Sequence, residues 1–187
     1  MKKMSGKRVA ILATHGFEQA ELEVPLNKLK DAGATVDVVS PEKGEIKGWD
    51  SKDWVHPVKV DRNLADVSAD DYDAIVLPGG QINPDLLRVN AQALAFIRAF
   101  FDQKKVVAAV CHAPWLLIET GIIKGRKATS YRSIKTDVIN AGGKWEDSPV
   151  VTDQGVITSR QPSDLDAFSA KIIEEVAEGR HSHRSAA

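Results

Sequence analysis

Cys111 is the residue of this sequence best placed to do chemistry. It is the only cysteine of the 187-residue chain, and it lies between the apolar run 106–110 and an apolar helical pattern at 114–119. A buried strand that passes directly into a helix predicts a tight turn, which requires small residues two positions to either side. Ala109 and Ala113 meet that requirement. The pattern therefore predicts a nucleophile elbow that carries a reactive thiol.

The elbow also sets the expected ionisation state of that thiol. Pro114 suits a first helical turn, where a proline misses no backbone donor. Because the N-terminal end of a helix favours a thiolate, we predict a pKa of Cys111 below the free-thiol value of about 8.5. His112, next in sequence, is a candidate base or ion-pair partner. The alternative is that Cys111 is an inert buried residue, as lone cysteines often are.

Four other candidate residues follow predicted strands and so lie at the carboxyl edge of a parallel sheet. Glu18 comes after the strand 8–14, where ligand-binding groups of open α/β sheets gather, although the helix dipole also explains an acid at a helix start. Gly79 and Gly80 end a later apolar strand, and their amides could bind an oxyanion. Asp85 then opens a short helix, where a helix-start acid is the main interpretation and catalysis the second.

Strands and helices alternate along the chain. Strands are predicted at 8–14, 34–40, 74–78 and 106–110 and as a hairpin within 150–159, and helices at 18–33, 90–103, 114–119, 133–141 and 163–178. Strand-helix-strand order implies parallel pairing with right-handed crossovers, so the fold class is α/β with a mainly parallel sheet. Pro25 lies within the first helical pattern and predicts a kink or a break.

The segment 41–71 is polar and predicts an excursion with short edge strands. The segment contains Trp49 and Trp54. We interpret these side chains as anchors of a protein interface, slightly in preference to side chains that cover the hydrophobic core. His56 is interpreted as structural. His181 and His183 lie in a polar tail without further ligands, so we expect no metal site and no cofactor.

The composition is typical of a globular protein, with 43% hydrophobic residues, 27% charged residues and a net charge of −1. We expect one domain at 7–179 with flexible tails at 1–6 and 180–187. The balanced charge gives no indication of a nucleic-acid partner. The apolar run after the basic start is too short for a membrane span or a signal peptide, so a cytoplasmic location is predicted.

Four motifs together resemble the DJ-1/PfpI family. They are Ala-Ile-Val-Leu-Pro-Gly-Gly at 74–80, Val-Cys-His-Ala-Pro at 110–114, Lys-Gly-Arg-Lys-Ala-Thr at 124–129 and Asp-Gln-Gly-Val-Ile-Thr-Ser at 153–159. The resemblance covers nearly the whole chain and is closest to the PfpI-like intracellular protease and stress-protein branch, whose elbow reads Cys-His-Ala-Pro. It implies a flavodoxin-like three-layer sandwich akin to class I glutamine amidotransferase domains, and a homodimer or a hexamer.

The resemblance also implies roles for individual residues. It implies that Glu18 hydrogen-bonds the sulfur of Cys111 and that His112 belongs to the site. Asp85 matches an acidic position, Glu in PfpI, that approaches this histidine from a neighbouring subunit.

The activities of the family span peptide hydrolysis, glyoxalase and deglycase chemistry, and stress roles without catalysis. A thiol beside a carboxyl and an imidazole favours addition to a small aldehyde, so we predict a stress-response enzyme acting on methylglyoxal-type carbonyls or their adducts, with peptides as the less favoured substrate. The alternative is a redox-sensing or holdase stress protein in which Cys111 oxidises to a sulfinate.

Overall fold

The computed structural model describes residues 3–186. Within that range the strands are β1 (Arg8–Leu12), β2 (Phe17–Glu18), β3 (Thr35–Ser40), β4 (Glu45–Asp50), β5 (Asp53–Lys59), β6 (Arg62–Asn63), β7 (Ala74–Leu77), β8 (Val106–Val110), β9 (Lys127–Ala128), β10 (Lys144–Trp145), β11 (Val150–Asp153) and β12 (Val156–Ser159). The α-helices are α1 (Gln19–Asp31), α2 (Ile82–Leu87), α3 (Ala91–Asp102), α4 (Pro114–Glu119), α5 (Lys135–Asn140) and α6 (Leu165–Glu178). Short 3-10 turns precede α5 and α6.

Seven strands form the central sheet in the order β11-β12-β8-β7-β1-β3-β6. Neighbouring strands are parallel except for β11 and β12, which form an antiparallel hairpin. This arrangement confirms the flavodoxin-like α/β fold with a mainly parallel sheet. Since β8 lies between β12 and β7, the residue that follows β8 emerges at the middle of the carboxyl edge of the sheet.

Helices cover both faces of this sheet. Along β1, side chains alternate between the two faces, as the pleat of a strand requires. Ile11 packs in a buried cluster with Leu22 of α1 and Phe168 of α6, whereas Leu12 packs in the opposite cluster with Phe100 of α3. Among the described helices none combines the length and the hydropathy that a membrane span requires.

The polar excursion forms a small sheet of its own. Strands β4 and β5 make an antiparallel hairpin, and β2 joins β4 in parallel, so these strands do not extend the edge of the central sheet as the sequence predicted. Trp49 and Trp54 contact each other edge to face, with ring centroids 5.4 Å apart. The Nε2 atom of His56 lies 2.7 Å from a carboxylate oxygen of Glu23, which ties β5 to α1. His56 is therefore held between secondary-structure elements.

Helix α1 continues through Pro25, so the predicted break is wrong, while the alternative of a kink stays a prediction. The helix extends from Gln19 to Asp31, and Pro25 is one of its buried residues. A proline within a helix removes its own N–H donor, here the partner of the Glu21 carbonyl, and its ring crowds that carbonyl, while burial of the ring against the core offsets part of this cost.

Each end of the described chain has one buried side chain, Met4 and Arg184, among residues that are mostly exposed, so the flexible tails at 1–6 and 180–187 stay a prediction. Met4 is fully buried, and its amide donates to the carbonyl of Ala32 at 3.0 Å. Arg184 is only 4% exposed. Its guanidinium donates to the carbonyl oxygens of Gln154, Phe101 and Lys105 at 2.7, 3.1 and 2.7 Å. The polar composition of the tail hid this anchor. Residues 1, 2 and 187 lie outside the described residues.

Candidate active site

Cys111 lies in the predicted elbow. Its φ of +63° is in the left-handed region, which non-glycine residues seldom adopt and which often marks a functional turn. The turn is closed by a hydrogen bond from the Ala113 amide to the Val110 carbonyl at 3.0 Å. The Cys111 amide donates to the Ser159 carbonyl, and the Cys111 carbonyl accepts from the Tyr131 amide, at 3.1 and 2.8 Å. Backbone contacts on both sides therefore fix the position of the sulfur.

Glu21 is the carboxylic acid that contacts the sulfur. It is fully buried on the inner face of α1, and its carboxyl lies beside the thiol of Cys111. Its Oε2 atom accepts from the Gly79 amide at 2.8 Å. The family resemblance gave this contact to Glu18, and the structure corrects that assignment. Glu18 precedes the first residue of α1, whereas Glu21 is one helical turn further on, on the face that packs against the sheet.

Glu18 faces the cavity in front of the sulfur. It is half-buried, and its carboxylate lies beside the backbone of Ser51. Burial, together with the nearby charge of Asp50, raises the pKa of Glu18 above its ordinary value. Such a carboxyl is poised to exchange protons with a bound molecule. Its role in catalysis remains a prediction.

The environment of Glu21 and Cys111 determines their protonation states. Burial raises the pKa of Glu21 from 4.5 to about 8, so this carboxyl is mostly protonated at pH 7. Burial and the adjacent Glu21 also raise the pKa of Cys111, while the backbone amides of Gly80 and His112 oppose that effect. The lowered thiol pKa expected from the sequence is therefore wrong, because the elbow encloses the sulfur and α4 begins only three residues later. A protonated Glu21 can still donate to a thiolate once one forms.

The two glycines after β7 have different functions. The Gly79 amide already donates a hydrogen bond to Glu21, so it is not available to bind an oxyanion as predicted. A Cβ at Gly79 would lie 2.5 Å from the Glu21 carboxyl and 2.7 Å from Cβ of Cys111, so only glycine fits between them. The Gly80 amide, with φ of +77° at that residue, lies beside both the sulfur and the Glu21 carboxyl. The amides that can stabilise negative charge beside Cys111 are thus those of Gly80 and His112.

His112 contacts the sulfur although it is the adjacent residue, and adjacent residues on a turn normally point apart. Its Nδ1 atom lies 3.2 Å from Sγ of Cys111, and its Nε2 atom lies 3.1 Å from Oγ of Ser133. The ring is stacked on Tyr131, with centroids 5.0 Å apart, and meets Trp115 edge to face. Burial lowers the pKa of His112, so the imidazole is neutral near pH 7.

Asp85 lies away from this constellation within one chain. It is exposed in the first turn of α2 and is absent from the residues that line the cavity. The approach of Asp85 to His112 from a neighbouring subunit concerns a second chain and remains a prediction.

An open pocket of about 580 Å³ lies over the sulfur. It is lined by Gly16, Glu18, Glu21, Trp49, Ser51, Gly80, Gln81, Ile82, Cys111, His112, Tyr131 and Pro162. The small sheet therefore contributes one wall of the pocket through Trp49, so the polar segment 41–71 is part of the site. Within residues 3–186, this pocket included, no group of three or more His, Cys, Asp or Glu side chains is placed to hold a metal ion.

Three residues that matter here were missed from the sequence. Glu21 had a readable signal, because it falls within the apolar stripe Leu22, Pro25 and Leu29 of α1, where an acid requires a buried partner. Asn83 is fully buried; it accepts from the Thr14 amide at 2.8 Å and donates to the Pro78 carbonyl at 2.9 Å, which fixes the glycine turn. Ser133 had no signal in its local pattern, because only the fold brings it to His112.

A mainly parallel α/β sheet with a buried cysteine at a strand-to-helix elbow defines a class of cysteine-centred flavodoxin-like proteins. The sequence model of the DJ-1/PfpI family matches residues 7–175, and the chain belongs to this family.

Similar proteins span almost the same length. The chain is 42% identical over 168 residues to the putative cysteine protease YraA of Bacillus subtilis, covering 89% of this chain and 96% of that protein. It is 41% identical over 166 residues to the deglycase PfpI of Pyrococcus furiosus, covering 89% and 97%. The crystal structure of Drosophila melanogaster DJ-1beta superimposes with a TM-score of 0.85 at 31% identity, covering 93% of this chain and 91% of that one.

Proposed function

We propose that this protein is a stress-response enzyme that uses Cys111 to convert small reactive carbonyl compounds, such as methylglyoxal, or their adducts with amines. The observation that carries the proposal is the position of the sulfur, which lies at the pocket between a neutral buried acid and two backbone amides. The names of two relatives, a deglycase and a putative cysteine protease, support cysteine-dependent chemistry of this kind.

The first step is addition of the thiol to the aldehyde carbon. A carbon-sulfur bond forms, the carbonyl π electrons move to oxygen, and the thiol proton passes to Nδ1 of His112, 3.2 Å from the sulfur. The amides of Gly80 and His112 then stabilise the developing oxyanion. Protonation of that oxygen gives a hemithioacetal on Cys111.

The second step moves a proton between the two carbons of the substrate. Glu18 faces the cavity and removes the hydrogen from the carbon bonded to sulfur, giving an enediol, then returns a proton to the adjacent carbon. The product is a 2-hydroxy thioester, formed without an external oxidant because one carbon is oxidised while its neighbour is reduced. Water then cleaves the carbon-sulfur bond, which releases a 2-hydroxy acid and restores the thiol.

An adduct between the aldehyde and an amine enters the same sequence. The sulfur replaces the nitrogen at the hemiaminal carbon: a carbon-sulfur bond forms, the carbon-nitrogen bond breaks, and the amine leaves with a proton. Isomerisation and hydrolysis follow as before. A pocket of about 580 Å³ accommodates a small carbonyl and the end of one modified side chain, which favours this chemistry over binding of an extended peptide.

Turnover of methylglyoxal by the purified protein tests the proposal. Loss of substrate should match formation of lactate, and Cys111→Ser and Cys111→Ala should abolish both. A casein or peptide substrate serves as the comparison for hydrolase activity. If the wild-type protein makes no lactate and releases no amine from a glycated amino acid, the proposal is wrong. Conversion of Cys111 to a sulfinate by peroxide in such an inactive protein would instead favour a redox-sensing role.

We further propose a cytoplasmic homodimer, or a hexamer, that acts on small molecules without a nucleic-acid or membrane partner. Exposed apolar side chains on and beside α2, at Ile82, Leu86 and Val89, support self-association on this face. Asp85 lies on the same helix, so a second copy docked on this face would bring Asp85 to a subunit boundary, as its predicted approach to His112 requires. Light scattering of the purified protein measures the oligomeric state.

A further inference from the structure

We propose that Ser133 is a positioning and proton-relay residue for His112, and that it connects the buried cysteine to solvent. This inference deepens the proposed function, because the relay would serve the addition and release steps at Cys111. The juxtaposition that carries it is a row of three side chains. The imidazole of His112 lies in the middle. Its Nδ1 atom is 3.2 Å from Sγ of Cys111, and its Nε2 atom is 3.1 Å from Oγ of Ser133.

The relay follows from the chemistry of a neutral imidazole. Such a ring has one nitrogen that donates and one that accepts. When Nδ1 accepts the proton of Cys111, Nε2 gives its own proton to Oγ of Ser133, and the hydroxyl proton passes to water. One proton leaves the sulfur and one enters solvent, so the imidazole stays neutral and the negative charge remains on sulfur. Release of the product runs the same transfers in reverse.

A hydroxyl suits this position better than a carboxylate. A hydroxyl both donates and accepts, so it bonds Nε2 in either tautomer, whereas an ionised carboxylate only accepts and would hold the proton on Nε2. Ser133 is also exposed, while Cys111 and His112 are both buried. The hydroxyl is thus the point where the row of three side chains meets water.

The surroundings of the ring are compatible with a neutral relay. The titratable groups that face this region are Cys111 on the same turn, Tyr131 stacked on the ring, and the acids Glu18 and Glu21 across the pocket. Arg88 lies on the far side of Trp115, 4.9 Å from the centre of that ring. The side-chain hydrogen bonds that the structure gives to the imidazole join it to a thiol and a hydroxyl, neither of which carries a charge when protonated.

The test uses two readouts that do not depend on turnover. Alkylation of Cys111 by iodoacetamide reports the thiolate, and the signal is unambiguous because the chain has one cysteine. Nitrogen NMR of the imidazole reports which ring nitrogen of His112 is protonated. Both are followed from pH 5 to pH 9 in the wild-type protein and in Ser133→Ala, Ser133→Thr and Ser133→Asp. Thr136→Ala, which removes a hydroxyl from an exposed residue nearby, is the control.

We expect Ser133→Ala to slow alkylation at pH 7 by about tenfold, the effect of losing one hydrogen bond to a group whose ionisation it supports. Ser133→Thr should restore most of the rate. Ser133→Asp should hold a proton on Nε2 at every pH, so His112 would titrate as a cation with a raised pKa. In the wild-type protein the protonated nitrogen should change from Nε2 to Nδ1 as Cys111 ionises.

Two results would overturn the inference: alkylation and His112 resonances unchanged in Ser133→Ala, or an equal change in Thr136→Ala. Measurement of methylglyoxal turnover on the same variants separates this inference from the proposed function. A wild-type protein that shows the tautomer change but no turnover would refute the function and retain the relay. A Ser133→Ala protein with full turnover and unaltered His112 resonances would refute the relay and retain the proposed function.

Discussion

The carboxyl group of Glu21 lies beside the thiol of Cys111 inside the protein, where the first is fully buried and the second only 7% exposed. Two negative charges in contact at such a site would repel strongly, so the pair shares at least one proton near neutral pH. Loss of a proton from this site is therefore a property of the pair and not of either residue alone. This coupling governs how the thiol can be activated.

The acid itself is tested by Glu21→Gln. Glutamine retains the size and a hydrogen-bond donor but cannot share a proton with Cys111, so the coupling that governs activation of the thiol is lost and turnover of methylglyoxal should fall by about a hundredfold, the usual contribution of a positioned acid or base. Steady-state kinetics measures this change. Glu23→Gln, on the same helix but bonded to His56 outside the pocket, should keep full activity. Equal activities for Glu21→Gln and the wild-type protein would remove Glu21 from the mechanism.

The raised pKa of Glu21 also predicts a pH dependence of stability. The folded state holds this proton up to about pH 8, whereas the unfolded chain releases it near the ordinary value of 4.5. Between these values the folded state binds more protons, so its stability falls as pH rises, by a few kcal/mol in total. The contribution is fully present below pH 4.5 and is lost above pH 8.

Denaturant unfolding at pH 5 and pH 7.5 isolates this effect when the wild-type protein is compared with Glu21→Gln. The wild-type protein should lose more stability over this interval than the variant, which cannot ionise at position 21. The range stops below the ordinary cysteine pKa of about 8.5, so ionisation of Cys111 in the unfolded chain does not contribute. Identical pH dependences would mean that Glu21 is ionised in the folded state.

Glu18 is predicted to transfer protons to and from the substrate without contacting the sulfur. Glu18→Gln should therefore leave the iodoacetamide reactivity of Cys111 within about twofold of the wild-type value while turnover falls about a hundredfold. The measurement compares the rate of iodoacetamide alkylation with the rate of methylglyoxal turnover in the same variant. A variant that turns over methylglyoxal normally would show that another group moves the proton, and one with an unreactive thiol would place Glu18 in the activation of Cys111.

The predicted approach of Asp85 to His112 from a neighbouring subunit competes with Ser133 for Nε2 of that ring, and Asp85→Asn distinguishes the two arrangements. Because Ser133 already occupies Nε2 of His112 within one chain, we expect this exposed substitution to leave stability within about 0.5 kcal/mol and turnover nearly unchanged. Turnover and light scattering on the same samples measure both properties. A large loss of activity, recovered when Asp85→Asn subunits are mixed with Cys111→Ala subunits, would show instead that the acid acts across a subunit boundary.

Much of the fold could be predicted because its signals are local. The buried strands, the glycine-terminated β7 and the small residues around Cys111 each follow from a short run of side chains with a single plausible environment. The elbow was located for the same reason: Ala109 and Ala113 leave space that only a sharp turn requires. Pro25 showed the limit of such signals, since the helix continues through it despite the local preference against proline.

The chemical environment of the site depended on contacts between distant segments. Choosing between Glu18 and Glu21 required knowing which face of α1 packs on the sheet, and the apolar stripe that contains Glu21 carried that information. The contact of Ser133 with His112 joins positions 21 residues apart and leaves no periodic trace. The thiol pKa was predicted in the wrong direction, because a helix end was considered without the burial that accompanies it.

The anchored Arg184 has a kinetic consequence for how this protein resists proteolysis. Trypsin cleaves after arginine only in an extended segment, and the guanidinium here is held by three carbonyl oxygens while Nζ of Lys104 donates to the Arg184 carbonyl at 2.8 Å. Cleavage at this bond must therefore wait for the tail to detach. The rate at which trypsin cleaves after Arg184 thus reports how often the tail detaches locally, an equilibrium separate from unfolding of the whole protein.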